Sequence, residues 1–321
     1  MMGWLTRLAS LKLTLVVLAL LGADVLLSYR AEVRGDWPLA VPLTLLAVNL
    51  ACAVATNPVF QRQTALLTFH LALIAIVLLI AAGRLTYLRG QLELSAGETF
   101  QGELTQNERG PWHWGGIAGA AFTNHGFTID YSPGIQRNAT RNTVSWKDAD
   151  GRAQRAVIGD QQPLALQGFR FYTSHNKGFA PVFAWHSPDG TRQRGTVHLP
   201  SYPVNEYRQA QEWSPPNSGA TLWVMLQFDE VLLDPARRSE FRLPGEHKLV
   251  LRIGEARTEL KPGDRYELNG GVLVYEGLTT WMGYKVFYDW TLPWLLAACV
   301  LAVASLAWHF WKKFGLQPWN G

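Results

Sequence analysis

Apolar residues in this chain gather into four long runs, three early and one late, with mixed polar and apolar sequence between the third and fourth. The runs cover residues 11–28, 39–56, 64–83 and 291–310. Each is close to the roughly 20 residues that a helix needs to cross a bilayer, so the pattern predicts four transmembrane helices. The first follows Arg7 and Lys12 and reads as an uncleaved helix, because no small-residue cleavage site comes after Leu27 and two more runs follow. The second ends at Asn57-Pro58, a helix stop, and the third at Gly83-Arg84. The fourth closes on Trp308-His309-Phe310-Trp311-Lys312-Lys313, an aromatic belt followed by basic anchors.

The stretch between the third and fourth runs has the pattern of short strands. Residues 142–147, the turn Asp148-Ala149-Asp150-Gly151 and residues 152–158 predict a hairpin. So do residues 181–186, Ser187-Pro188-Asp189-Gly190 and the strand up to Leu199. Residues 222–233, 248–253 and 272–275 add strands, and 204–212 is the one segment with a helical pattern. The fold class that follows is an integral membrane α-helical protein. It has four transmembrane helices and one extracytoplasmic antiparallel β-sandwich or barrel-like domain between helices three and four. The expected domains are 1–85, a three-helix membrane part; 86–288, the β-rich domain; and 289–321, the last helix with its tail.

Charge sets the orientation. The net charge is +4, but residues 86–288 are balanced and the surplus lies in the membrane part. That distribution excludes a nucleic-acid partner and reports topology instead. Arg7, Lys12, Arg62, Lys312 and Lys313 fall on one side without an acid among them, so that side is expected to be cytoplasmic. Both termini then lie in the cytoplasm and the β-rich domain faces the periplasm or its equivalent. Arg84 and Arg89 fall on the other side. The two cysteines, Cys52 and Cys299, both lie in apolar runs, which leaves the β-rich domain without a disulfide or a thiolate metal site.

The third run holds one ionisable residue, His70, about 9 Å along the helix from Thr64. An ionisable group at that depth is costly and marks a functional candidate. Neutral imidazole is an axial ligand for haem iron, or a hydrogen-bonding group toward a neighbouring helix. His309 lies at a similar depth on the fourth run, as a second ligand beside His70 or as a ring at home in the interface belt. Asp24 and Asn49 are expected to make structural hydrogen bonds between helices. His113 stands in Trp112-His113-Trp114, a cluster suited either to covering a planar cofactor or to resting on the membrane surface. The other histidines show no metal-ligand spacing. There is no G-x-S-x-G, P-loop, Gly-rich dinucleotide turn or C-x-x-C, so dithiol oxidoreductase chemistry by this chain alone is excluded.

Several segments, taken in order, carry a resemblance. They are Ser10-Leu-Lys-Leu-Thr14, Asn49-Leu-Ala-Cys52, Phe69-His70, Tyr87-Leu-Arg-Gly-Gln-Leu-Glu-Leu-Ser-Ala-Gly-Glu98, Gly168-Phe-Arg-Phe-Tyr172 with Gly178, and Gly283-Tyr-Lys-Val-Phe-Tyr-Asp289. With the helix layout, they make the chain similar to the ResB family, also called CcsB, of system II cytochrome c maturation. Where that family has Pro-Gly after the acid, this chain has Trp290-Thr291. The resemblance implies a non-enzymatic subunit that works with CcsA, a Trp-rich membrane protein. Together they move haem b outward for attachment to the C-x-x-C-H thiols of apocytochrome c. It further implies that His70 is an iron ligand, that the outer domain cradles the apocytochrome or the partner's loops, and that Asp289 orients the domain on the last helix or stabilises a basic group. Two other classes stay open: a b-type haem electron carrier using His70 and His309, and a membrane-anchored β scaffold without a cofactor.

Overall fold

In the computed structural model, which describes residues 2–30, 35–204 and 208–315, the chain divides into two compact units. The first comprises Met1–Arg89, Asn107–Gly115 and Phe287–Gly321; the second comprises Gly90–Gln106 and Gly116–Val286.

The first unit is built from α1 (Met2–Leu8), α2 (Leu11–Arg30), α3 (Ala40–Thr56), α4 (Pro58–Arg62), α5 (Thr64–Thr86) and α6 (Leu292–Gly315). Four stretches are long and apolar enough to cross a membrane: Leu11–Ser28, Trp37–Thr56, Thr64–Thr86 and Leu292–Gly315. The packing between α5 and its neighbour α3 includes Leu39, Leu43 and Ala81, joined by Val77 and Ile80. On α6 the buried residues are Ala298, Ala302 and Ser305. Small side chains at that spacing let helix backbones approach without a bulky interface. Asn49 is 4% exposed and ties α3 to the corner between α1 and α2. Its amide donates to the Leu8 and Ser10 carbonyls, and its oxygen accepts from the Thr14 hydroxyl at 2.7 Å. Leu8 ends α1, so its carbonyl needs an outside donor, and Asn49 supplies it. Asn57-Pro58 stops α3, as the sequence suggests, but also starts α4. The Asn57 side chain accepts the Val59 N–H at 3.0 Å, and Pro58 takes the first helical position.

Sixteen strands lie between α5 and α6 in sequence among the described residues. In order they are β1 (Leu88–Ser95), β2 (Thr99–Phe100), β3 (Gln106–Arg109), β4 (Phe122–Ser132), β5 (Gln136–Lys147), β6 (Ala153–Gly159), β7 (Leu164–Leu166), β8 (Phe169–His186), β9 (Arg192–Thr196), β10 (Ala210–Trp213), β11 (Leu222–Gln227), β12 (Ser239–Glu240), β13 (Lys248–Ile253), β14 (Ala256–Leu260), β15 (Arg265–Leu268) and β16 (Gly271–Tyr288). One sheet has the order β3-β1-β16-β8-β7, with β15 on β16 and β9 on β8. A second runs β10-β11-β13-β14, and a third β12-β4-β5-β6 with β2 on β4. The pairing is antiparallel in β4–β5–β6, β8–β9 and β11–β13–β14 alike. The barrel of the sequence expectation does not close: the strands form three open sheets around shared apolar contacts.

The core draws on all three sheets: Ile129 from β4, Phe179 and Phe183 from β8, Val224 from β11, Leu249 from β13 and Tyr275 from β16 are buried together. The second half of β8, Gly178–Trp185, is buried on both faces, which is why its sequence is continuously apolar rather than alternating. Both predicted hairpins form, as β5–β6 and β8–β9. The expected strand over 222–233 stops at Gln227. Of the expected helix over 204–212, residues 205–207 lie outside the described residues, and residues 210–213 are the strand β10 instead. The Ala210–Trp213 backbone pairs with β11 through Trp213↔Leu222, and that partner across the sheet overrides the local helical spacing.

Candidate functional site

His70 sits on the first half of α5, half-buried. Its Nδ1 lies 2.8 Å from the Leu66 carbonyl one turn back. A carbonyl only accepts, so Nδ1 carries the proton and Nε2 keeps its lone pair. Nε2 has no hydrogen-bond partner among the described residues. Metal-ligating histidines commonly have this arrangement, one nitrogen fixed on a carbonyl and the other available to a metal. The ring lies against Phe60 of α4, with centroids 4.5 Å apart, and meets Phe69 edge-on at 5.2 Å. Phe60 was not legible as a site residue, since the segment that carries it reads as a loop. The signal that finds it is Asn57-Pro58, which begins a helix as well as ending one.

His309 does not meet His70. The α5 residues along the groove with α6 are Ala75, Leu78, Leu79 and Ala82. At about 100° per residue, His70 points roughly 130° away from them, toward α4. His309 is half-buried with its ring edge-on to Phe310 at 5.5 Å. Lys312 Nζ lies 4.5 Å from the Trp308 ring centre nearby, which is the interface-belt arrangement.

A second constellation gathers where α5 ends. The last carbonyls of a helix have no partner inside it. Here the segment 110–113 supplies them: Trp112 N–H donates to the Leu85 carbonyl at 2.8 Å, and Gly110 N–H to Tyr87 at 3.0 Å. His113 Nδ1 is 2.8 Å from the Thr86 carbonyl, and its Nε2 is 3.1 Å from the Gly115 carbonyl. Both ring nitrogens are therefore engaged with backbone, and the ring rests edge-on against Tyr288 at 5.1 Å. Trp112 and Trp114 flank it, 67% and 62% exposed, with Trp114 near the Trp290 ring at 6.0 Å. Trp290 Nε1 donates to the Thr86 hydroxyl at 2.9 Å. Asp289 Oδ1 accepts the Thr291 N–H at 2.9 Å and its hydroxyl at 2.6 Å, placing a carboxylate at the N-terminus of α6. The two residues that replace Pro-Gly thus each tie this corner together.

Asp36 forms ion pairs with Arg84 and with Arg89, the latter at 3.0 Å. Tyr87 joins the same group, accepting the Asp36 N–H at 3.2 Å and donating to Glu108. Burial, with the Glu108 hydrogen bond, pushes its phenol up to about 12. Asp24 is half-buried on α2. Cys52 is buried and Cys299 exposed, both as free thiols.

The second unit holds an arrangement that sequence spacing did not reveal. Glu93 Oε2 is 2.9 Å from His198 Nδ1, and His198 Nε2 is 3.0 Å from Ser95 Oγ. His198 is over a hundred positions from Glu93 and Ser95, which share β1, so only the fold joins it to them. This carboxylate–imidazole–hydroxyl chain lacks what acyl transfer requires. Ser95 is 3% exposed, its own N–H is held by Glu98, and the next two N–H groups are held by the Thr280 and Asn124 carbonyls, leaving no oxyanion donors. His198 is instead stacked flat on Trp281 at 5.0 Å, a structural role.

The ResB-like family model matches residues 53–313. The chain belongs to the ResB-like family. The match takes in α5 with His70, all the strands and most of α6. Among solved structures, the chain is similar to one named Cytochrome c Heme Lyase CcmF, at 13% identity and a TM-score of 0.27. That likeness covers 94% of this chain and 35% of the other, so this ResB-like chain spans about a third of the length of the solved protein. No match is found among curated proteins.

Proposed function

We propose that this ResB-like protein is a membrane subunit of cytochrome c maturation that holds haem through His70. In this role it presents haem, together with a CcsA-type Trp-rich membrane partner, for attachment to C-x-x-C-H apocytochromes. The observation that carries the proposal is the His70 ring, with Nδ1 fixed on the Leu66 carbonyl and Nε2 left as a lone-pair donor among aromatic neighbours. Haem is the cargo, and its iron takes the imidazole as an axial ligand. A neutral imidazole binds iron without placing a charge in lipid. His70 points away from α6, so in this reading the second ligand to the iron comes from the partner and not from His309. His113 and Asp289 serve as helix caps and shape the outer end of α5 and α6. Trp112 and Trp114 rest at the membrane surface. In this topology the chain lies in the inner membrane with both termini cytoplasmic and the strand-rich unit extracytoplasmic.

The test is His70→Gly co-expressed with the partner. The expected outcome is about a tenfold loss of the Soret band in the purified complex and of covalently bound haem on c-type cytochromes, with recovery when imidazole is added. His309→Ala retains both signals. Normal cytochrome c levels in the His70 variant overturn the proposal.

A further inference from the structure

The second unit carries an open cleft of about 1360 Å³ that the haem proposal does not use. It exists because β11 ends at Gln227 where the chain leaves the sheet, and Leu232 and Leu233 anchor the departing segment in the core. Glu230 fixes one wall to the other by pairing with Arg242 and accepting the Gly245 N–H at 3.0 Å. The walls are thus braced by a specific contact.

The chemistry inside the cleft asks for a donor. Gln209, which lines it, is 4% exposed. Its amide nitrogen donates to the Pro200 and Arg208 carbonyls, each at 3.1 Å, but its Oε1 has no partner. A buried amide oxygen left unpaired is costly, and a ligand N–H removes that cost. The charged groups lining the cleft point the same way. Glu230 is taken by Arg242, and Lys248 by Glu259 at 2.8 Å. Asp229 and Glu246 remain exposed and unpaired among the described residues, against Lys261 as the one unpaired cation of the lining. The volume exceeds the roughly 300–1,000 Å³ of small-molecule sites. Val231, 74% exposed, adds an apolar face to the lining.

We propose that this cleft binds an extended, basic polypeptide segment, with a backbone N–H on Gln209 Oε1 and a lysine or arginine side chain between Asp229 and Glu246. The site is independent of His70, and its failure leaves the haem proposal standing.

The experiment measures fluorescence anisotropy of labelled Gly/Ser/Ala peptides with the full-length protein in detergent micelles. One peptide carries two lysines and the other two glutamates at the same positions. The lysine peptide is expected to bind about tenfold more tightly, and high salt weakens it. Asp229→Asn combined with Glu246→Gln removes both the preference and the salt dependence. Gln209→Leu weakens binding about tenfold. Should Gln209→Leu fail to fold in a thermal melt, the surface double variant decides alone. Equal binding of the two peptides, binding of neither, or unchanged binding in the double variant overturns the proposal.

Discussion

Buried polar side chains in the strand-rich unit are treated in two opposite ways. Asn142 is fully buried and fully satisfied: its amide donates to Asn124 Oδ1 and the Gly126 carbonyl, and its oxygen accepts the Tyr284 hydroxyl at 2.8 Å. Asn142→Leu strands those partners and is expected to cost about 3 kcal/mol, read as a lower unfolding midpoint. Lys177, 2% exposed, donates to the Ser174 carbonyl at 3.0 Å. Burial, with Arg137 nearby, pulls its ammonium down to about 8 from an ordinary 10.5. The unfolded chain then holds the proton to higher pH than the folded chain, so stability rises between about pH 8 and 10.5. Lys177→Met is expected to remove that rise and to raise Tm at pH 7 by about 3 °C, measured by thermal melts across the range. A flat wild-type profile refutes the assignment. At this scale the sequence was informative where a residue was out of place in its surroundings: His70 stood out as the sole ionisable group of its run. Phe60, Ser95 and His198 did not, because their significance comes from partners that the fold brings to them.

The ends of the long helices are finished by distant chain. Gly110 is pressed against α5, where an added Cβ would sit 2.2 Å from the Leu85 carbonyl oxygen. Gly110→Ala is expected to displace the 110–113 segment, uncover three carbonyls and cost about 3 kcal/mol, with faster proteolysis within that segment as the readout. At the start of α6, Asp289→Ala removes both hydrogen bonds to Thr291 and is expected to cost about 1 kcal/mol. Asp289→Asn retains an acceptor and most of the stability, so equal losses in the two variants would refute the capping role. Helix existence and length were legible from apolar runs, because a bilayer imposes that length. The caps were not, since Trp112 and His113 meet carbonyls more than twenty residues earlier in the chain.

For the molecule as a whole, hairpins were legible from turn residues and sheet order was not. Adjacent strands joined by Asp148–Arg152 or Ser187–Thr191 announce themselves locally. The neighbours β1 and β16 are separated by most of the chain, and a single sequence carries no mark of that pairing. This order also has a meaning in time. β16 lies in the middle of its sheet, between β1 and β8, yet it is the last strand that the ribosome makes. During synthesis β1 and β8 wait with open edges, the first of them for some 180 residues, and unpaired edges invite wrong partners. A chain terminated at Asn269 is therefore expected to be degraded or aggregated, with no protease-resistant fragment of the strand-rich unit in a pulse-chase experiment. Addition of the missing centre strand in trans is expected to restore resistance. Nascent chains of this protein thus have a long interval in which protection must come from outside the polypeptide, and it ends only when the final strand is released.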